Sequence, residues 1–198
     1  MAVVNKTIGT GKDYTTIQAW EDYTDGDPNN QNNGICEAEV FAAVAFDGGT
    51  YTATNYPHLT SKVGAEHDGR AHEVSAKGNA RIESTANAIV VDVQDEFLRI
   101  SWMEIKGPGN NDKQVVYVQF VAASTFHIHH CVVHNNQAYQ SGGSMYGISG
   151  NDADLTTYAY RNLVYGMSAY GLLVYAGVAA NYLCNTAYNS YVGLRCIG

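Results

Sequence analysis

The chain has 198 residues, 45% of them hydrophobic and 15% charged, a composition that excludes a disordered chain and allows one domain with a sizeable core. Its net charge is −8 and no Lys/Arg cluster is present, which argues against nucleic-acid binding because that affinity comes mainly from neutralising phosphates. Neither an apolar run of transmembrane length nor the apolar segment of a secretion signal is visible, so we expect no membrane partner.

The first predicted element is a short helix over about residues 13–24. Thr15 is expected to cap this helix, with Gln18 three residues later completing a capping box. Residues 25–34 are rich in Asn, Asp and Gly, and we expect them to form a polar loop that buries no core. We therefore assign residues 1–34 to an N-terminal cap region.

From residue 35 to residue 198 the periodicity is that of β-structure. Turn residues alternate with short apolar runs, a pattern that predicts an all-β protein with many turns. Residues 55–80 are polar with few apolar positions, and we expect a long excursion there.

The second half of the chain contains a repeat. Four ten-residue segments align without gaps, namely residues 98–107, 126–135, 157–166 and 180–189. Successive segments begin 23 to 31 residues apart, and each is preceded by another strand-like run. A variable period of this size, with two short strands per turn, indicates the coils of a parallel β-helix, whereas the rival β-sandwich does not predict an aligned repeat.

Equivalent positions of the aligned segments predict columns of side chains through the stack. Position three holds Ile100, Ile128, Ala159 and Tyr182, and position eight holds Ile105, Val133, Val164 and Ala187. Both sets are expected to face inward. Position six holds Asn162 and Asn185 in the last two segments, where we expect an amide ladder at a bend, bonded to the coils above and below.

Two motifs carry a resemblance to known proteins. Residues 13–20, followed by Gly-Gly-Thr-Tyr at 48–51, resemble the opening of pectin-lyase-like proteins. Residues 67–83, with the His-His-Cys and Val-Tyr-Gly segments, are similar to a group of β-helix proteins common in phage and metagenomic sequences. The resemblance implies a single-stranded, right-handed parallel β-helix with an N-terminal capping α-helix. It does not fix a function, because this fold hosts lyases, hydrolases, adhesins and phage tailspikes.

A lyase of this fold needs carboxylates for Ca²⁺ and a base that abstracts the proton next to a uronate carboxylate. The residues that would serve an enzyme are Asp92, Asp95, Glu96, Arg99, His127 and His129. The position one coil beyond Asp92 is Tyr117 or Val118, so no carboxylate stack is expected there. His127 and His129 should both face outward, but the aligned positions offer no third metal ligand. We therefore expect no catalytic residue, metal site or cofactor.

The outward columns of the last two coils are rich in tyrosine. Tyr158, Tyr160, Tyr165 and Tyr188 are expected to form a largely uncharged aromatic face. Tyrosine combines apolar area with a polar tip, which suits a subunit interface or glycan binding, although ordinary packing on a sheet face also explains it.

Cys36, Cys131, Cys184 and Cys196 show no zinc spacing; we expect reduced, buried thiols and leave a Cys184–Cys196 disulfide open. The last predicted strand has no cap candidate, so we expect a partner chain or further sequence to cover that end. Together these features favour a non-enzymatic virion component, such as a capsid decoration, fibre or tail-associated protein. We expect it to form a homo-oligomer, with a trimer as the first guess, and to contact other virion proteins and a surface polysaccharide. The alternatives are a polysaccharide lyase or glycoside hydrolase acting in a groove, and an extracellular adhesin fragment.

Overall fold

The computed structural model describes residues 2–27, 29–67, 79–86, 88–109, 114–119, 125–135, 144–150, 156–174 and 179–196. These residues form an all-β structure with one helix, α1 (Ile17–Asp25), and three sheets in which all neighbouring strands are parallel. No helix in the described ranges has the length and apolarity needed to cross a membrane.

The three sheets share the strands in strict rotation. Sheet 1 contains β1 (Val3–Ile8), β2 (Gln31–Cys36), β5 (Pro57–Ser61), β8 (Arg99–Ser101), β11 (Thr125–His129), β14 (Thr156–Tyr160) and β17 (Ala179–Leu183). Sheet 2 contains β3 (Val40–Phe41), β6 (Arg81–Glu83), β9 (Glu104–Lys106), β12 (Val132–His134), β15 (Leu163–Tyr165) and β18 (Thr186–Tyr188). Sheet 3 contains β4 (Val44–Phe46), β7 (Val91–Val93), β10 (Gln114–Val118), β13 (Tyr146–Gly150), β16 (Tyr170–Val174) and β19 (Val192–Cys196).

From β2 onward the chain visits sheets 1, 2 and 3 in turn and then starts the next pass. Each strand pairs with the strand three places later, so successive passes lie directly on one another. This arrangement is compatible with a parallel β-helix. It has three strands per turn where the sequence predicted two, because each ten-residue segment divides between sheets 1 and 2.

The division of these segments has a backbone cause at position five. Trp102, His130, Arg161 and Cys184 all occupy this position, and all have φ between 52° and 60°. This left-handed conformation turns the chain sharply, and L-residues adopt it at a cost of about 1–2 kcal/mol each. The bend places positions three and eight on different sheets, with both still facing inward.

The predicted inward columns are confirmed. Ile100 pairs in register with Ile128, and Ile128 with Ala159; all three are fully buried. Position eight forms the same kind of column on sheet 2, whose fully buried members are Ile82, Ile105, Val133 and Val164. Sheet 3 adds a third column, formed by Val91, Val116, Ile148 and Leu172. Burying one such aliphatic side chain contributes about 1.5–3 kcal/mol, so these columns supply the main stabilisation.

The predicted asparagine ladder is also confirmed. The Asn162 side chain accepts a hydrogen bond from the Cys131 N–H (3.0 Å) and donates to the carbonyl of Ile128 (3.0 Å), both one coil earlier. The Asn185 side chain repeats the pattern, accepting from the Asn162 N–H (3.0 Å) and donating to the Ala159 carbonyl (2.8 Å). Each amide therefore satisfies backbone groups that the bend leaves without ladder partners.

The helix begins later than the sequence predicted. Thr16, not Thr15, is the N-cap, and its side chain accepts from the Ala19 N–H at 3.1 Å. Gln18 completes no capping box, because its side-chain oxygen accepts from the Ala45 N–H, while its amide nitrogen donates to Glu21 and Asp22.

The same helix packs against the first strands through Trp20. Trp20 is fully buried and meets the edge of Phe46, with ring centroids 6.5 Å apart. A Cβ at Gly34 would lie 2.7 Å from the Trp20 ring, so glycine is required where β2 passes under the indole.

Two other boundaries differ from the prediction. The expected polar loop at residues 25–34 runs into β2, where Asn32 is fully buried. The side-chain amide of Asn32 donates to the backbone carbonyl of Asp27, which compensates for its burial. The expected excursion at 55–80 contains β5, whose Leu59 is fully buried and in register with Ile100; residues 68–78 lie outside the described part. Both strands are polar in sequence because only alternate residues face the core.

The cysteines differ in environment. Cys36 and Cys131 are buried free thiols, as predicted, whereas Cys184 is free and exposed, which contradicts its predicted burial. Its left-handed corner conformation turns its side chain away from the core. The side chain of Cys196 lies outside the part of the structure that is described.

Candidate functional site

The outward face of sheet 1 collects most of the side chains that the sequence singled out. Arg99, His127 and Tyr158 pair in register on successive strands, and Ser101, His129 and Tyr160 form the neighbouring column. The His127 and Tyr158 rings stack with centroids 4.6 Å apart, and those of His129 and Tyr160 at 4.7 Å. Parallel pairing at one strand spacing enforces this stacking, because matching side chains lie one above another.

The two histidines of these columns, His127 and His129, are uncharged at neutral pH. Burial lowers the pKa of His127 to about 4, and the positive charge of Arg99 acts in the same direction. Burial also lowers the pKa of His129 to about 4, helped by His130, His58, His127 and Arg99. Both imidazoles are therefore neutral at pH 7, and the surface is aromatic with polar edges.

Arg99 also borders a small pocket on this face. Its guanidinium lies 4.0 Å from the centre of the Tyr56 ring, a cation–π contact that holds the side chain in place. The pocket has a volume of about 60 Å³ and is lined by Ala53, Tyr56, Phe97, Arg99, Thr125 and His127. That volume holds a single functional group rather than a whole sugar ring. Arg99 is the one charged group among the described residues that line the pocket.

A Ser–His contact lies on the same face. The Ser101 Oγ lies 2.9 Å from His58 Nε2 and donates to Thr60 Oγ1 at 3.0 Å. The Ser101 hydroxyl donates to Thr60, whereas a Ser–His nucleophile pair requires it to donate to the imidazole. Ser101 is also only 2% exposed, so this arrangement does not present a nucleophile to a substrate.

The corner between sheets 1 and 2 carries a second stack. The rings of Trp102 and His130 lie 4.4 Å apart and nearly parallel, and His67 lies 6.0 Å from Trp102. Trp102 is 39% exposed despite its size. The sequence analysis missed this corner, although Trp102 and His130 share position five of the aligned segments.

The tyrosines of sheet 2 continue the column that contains Glu83, Lys106 and His134. Tyr165 stacks on His134 at 5.2 Å and on Tyr188 at 4.9 Å, and Tyr188 is 52% exposed. Tyr158, Tyr160 and Tyr165 are half-buried. Because ring faces are covered within the columns, solvent meets mainly ring edges and hydroxyl groups.

His134 itself is fully buried, although its column faces outward. Its Nε2 lies 2.9 Å from Glu104 Oε1, and the Arg81 guanidinium lies 3.6 Å from the same oxygen. Burial opposes ionisation of Glu104, but the contacts with His134 and Arg81 together hold its pKa below the usual value. This paired cluster stabilises the outer side of sheet 2.

The six enzyme candidates do not form one constellation. Arg99, His127 and His129 lie on sheet 1, whereas Asp92 lies on sheet 3 and accepts hydrogen bonds from Gln94 and Gln119. As predicted, Asp92 faces outward, and its neighbour in register is Tyr117.

The other two candidate carboxylates also lie away from this face. Asp95 is buried and joins Glu21 and Asp25 of α1. Glu96 is half-buried in the turn before β8. Sequence analysis missed Glu21 and Asp25, although Glu21 follows Ile17 by one helical turn and so lies on the buried side of α1.

Comparison with known proteins found no relative of this chain. No protein-family model, curated protein or solved structure matches the chain. Its function must therefore be argued from its own residues.

Proposed function

We propose that this chain is a non-enzymatic binding and assembly protein, built as a right-handed parallel β-helix with α1 as its N-terminal cap. The observation that carries the proposal is the outward face of sheet 1, where neutral rings are stacked in columns beside the Arg99 pocket. Rings held by stacking lose little conformational entropy on binding, and their polar edges supply hydrogen bonds.

The ligand that fits this face best is an acidic polysaccharide. Arg99 offers a positive charge fixed on the Tyr56 ring, and the pocket beside it has room for one carboxylate. Thr125 and the tyrosine hydroxyls along the columns suit sugar hydroxyl groups. Since the chain carries a net charge of −8, a polyanion would bind at this local site and not through general attraction.

Assembly is the second part of the proposal. The outward tyrosines at positions 158, 160, 165 and 188 provide apolar area with polar tips, as subunit interfaces do. The resemblance to phage β-helix proteins supports a homo-oligomer, with a trimer as the first candidate, in a virion alongside other virion proteins. An extracellular adhesin is the alternative setting.

A lyase or hydrolase remains the alternative activity, and the positions of its candidate residues weigh against it. Proton abstraction beside a uronate carboxylate needs a base, and a lyase of this fold also needs carboxylates that hold Ca²⁺ against the same substrate. Arg99 and His127 lie on sheet 1, but Asp92 is held by two glutamines on sheet 3. Among the described residues, no carboxylate lines the Arg99 pocket.

The test compares binding with cleavage. Polygalacturonate and its fully methyl-esterified form are titrated calorimetrically against the protein, and unsaturated products are followed by ultraviolet absorbance. We expect the free acid alone to bind and neither polymer to be cleaved. Arg99→Gln should weaken binding about tenfold or more, the loss of a charge-assisted hydrogen bond. Arg195→Gln removes the same charge from an exposed position on sheet 3 and should leave binding unchanged.

Two results would contradict the proposal. Release of unsaturated or reducing ends by the wild-type protein would establish the enzyme alternative. Equal binding of both polymers, unaffected by Arg99→Gln, would show that the pocket does not bind a carboxylate. Sedimentation velocity on the same preparation tests assembly, and a monomer at working concentration would refute that part.

A further inference from the structure

Three carboxylates meet where α1 lies against sheet 3. Glu21 and Asp25 are one turn apart on α1, and Asp95 follows the end of β7. One carboxylate oxygen from each of the three lies within 4.8 Å of the others. The cluster therefore joins the helix to the coil that contains β7.

The cluster is buried and held in place by hydrogen-bond donors. Glu21 is 1% exposed and Asp95 is 3% exposed. The fixing donors are the Asp47 N–H to Glu21 Oε1 (3.1 Å), the Gly49 N–H to Asp95 Oδ1 (2.9 Å) and the Tyr51 hydroxyl to Asp25 Oδ1 (2.9 Å). Since most of these donors are backbone or buried groups, the three carboxylates are oriented before any ligand arrives.

One oxygen of the cluster has no hydrogen-bond partner. Asp95 Oδ2 is buried, and among the described residues nothing donates to it. The other carboxylate oxygen of Asp95, Oδ1, accepts from the Gly49 N–H, so the backbone fixes the carboxylate within the cluster. An unsatisfied buried carboxylate oxygen is costly, so this atom indicates a missing ligand.

Among the described residues, the charged groups that act on Glu21, Asp25 and Asp95 are all carboxylates, and they include Asp22 and Asp47. Among the described ion pairs, none joins a Lys or Arg to this cluster. Asp25 also lies in the last turn of α1, where the helix dipole favours a cation.

Such a cluster needs positive charge, supplied either by protons or by a metal ion. Three ionised carboxylates this close together repel one another, and a bound cation offsets that repulsion because it stabilises the ionised form.

We propose that Glu21, Asp25 and Asp95 bind a Ca²⁺ ion that fastens α1 to the β-structure. All the available ligand atoms are oxygens, which calcium prefers to the nitrogen and sulfur ligands of zinc. Calcium tolerates irregular coordination completed by water and backbone carbonyls, whereas Mg²⁺ demands a strict octahedron. The site lies apart from the Arg99 face and does not depend on the function proposed above.

The experiment measures thermal stability and direct binding. Protein stripped with EDTA is heated with and without about 10 mM CaCl₂, a concentration well above the Kd typical of weak structural sites. At 100 times Kd we expect the Tm to rise by about 5–10 °C. Isothermal calorimetry on the stripped wild type should give one site per chain, and Tb³⁺ should bind with emission sensitised by the nearby Tyr51.

Variants separate a bound ion from shared protons. Asp95→Asn and Glu21→Gln should each abolish the calcium-dependent rise in Tm and the Tb³⁺ emission. Asp22→Asn removes the same charge from an exposed position of the same helix and should retain both. If the wild type shows no rise with Ca²⁺ and no calorimetric site, the proposal is wrong and the cluster holds protons instead; Asp95→Asn would then stabilise the protein at neutral pH. The wild-type measurements decide the matter even if a variant fails to fold.

Discussion

Replacing Asn162 by alanine should be among the most damaging single changes in the β-structure. Its side chain is 2% exposed and bonds both the Cys131 N–H and the Ile128 carbonyl. Alanine would leave these two backbone groups buried without partners, at about 1–3 kcal/mol each. We therefore expect a loss of about 2–5 kcal/mol in the free energy of unfolding, which corresponds to a fall in Tm of about 5–15 °C.

Asn185 provides a matched control for this substitution. It makes the same two kinds of hydrogen bond to the preceding coil, but it is only half-buried, so water can replace the lost amide. Asn185→Ala should therefore cost about 1 kcal/mol. Urea unfolding followed by circular dichroism measures both variants, with the slope m checked for constancy.

An aspartate at position 162 tests the two hydrogen bonds separately. Asn162→Asp keeps an acceptor for the Cys131 N–H but turns a carboxylate oxygen toward the Ile128 carbonyl, so it should be destabilised at neutral pH and partly recover in acid. A loss below about 0.5 kcal/mol for Asn162→Ala, or a larger loss for Asn185→Ala, would refute the ladder as a source of stability.

Two further predictions follow from the site and the turns. Burial lowers the pKa of His127 to about 4, below its unfolded value near 6.5. Between about pH 6.5 and 4 the unfolded state therefore binds more protons than the folded state, and the wild type loses stability as the pH falls through this range. His127→Phe keeps the stack on Tyr158 without a titrating group and should gain about 1–2 kcal/mol on the wild type across that window, after allowance for solvent screening; parallel unfolding curves would contradict the assigned shift. Gly166→Ala should cost more than about 2 kcal/mol, because φ is 72° and the new Cβ would lie 2.1 Å from the Asn135 carbonyl oxygen. Gly11→Ala is its control, since φ is 71° there with no atom within 4 Å, and a cost of about 1 kcal/mol is expected; equal losses in thermal melts would rule out the clash.

The sequence predicted the parts of the fold that repeat. Ile100, Ile128 and Ala159 could be aligned because parallel strands stack in register. Residues at equivalent positions of the repeat therefore lie in the same environment in the structure. The third strand per turn was missed because the bend depends on the backbone angles at position five, which holds Trp102, His130, Arg161 and Cys184 and no glycine that would indicate a left-handed conformation.

The candidate site was predictable only where it lies on the repeat. The columns of Arg99, His127 and Tyr158 followed from the alignment, but the Tyr56 contact comes from a segment predicted to be an excursion. The acidic cluster could not be predicted from the sequence, for a different reason. Glu21 and Asp95 are far apart in sequence, and no spacing rule joins a helix to the turn after a distant strand.

The left-handed corner has a consequence for the kind of partner this protein can recognise. Position five recurs once per coil, so Trp102, His130 and Arg161 are displayed along one edge at intervals of about 4.8 Å, whatever the lengths of the intervening loops. A partner with a regular repeat, such as a linear polymer or an ordered lattice, can engage several rungs together and gain avidity from each. The spacing of the corner therefore matches a periodic partner better than an irregular one.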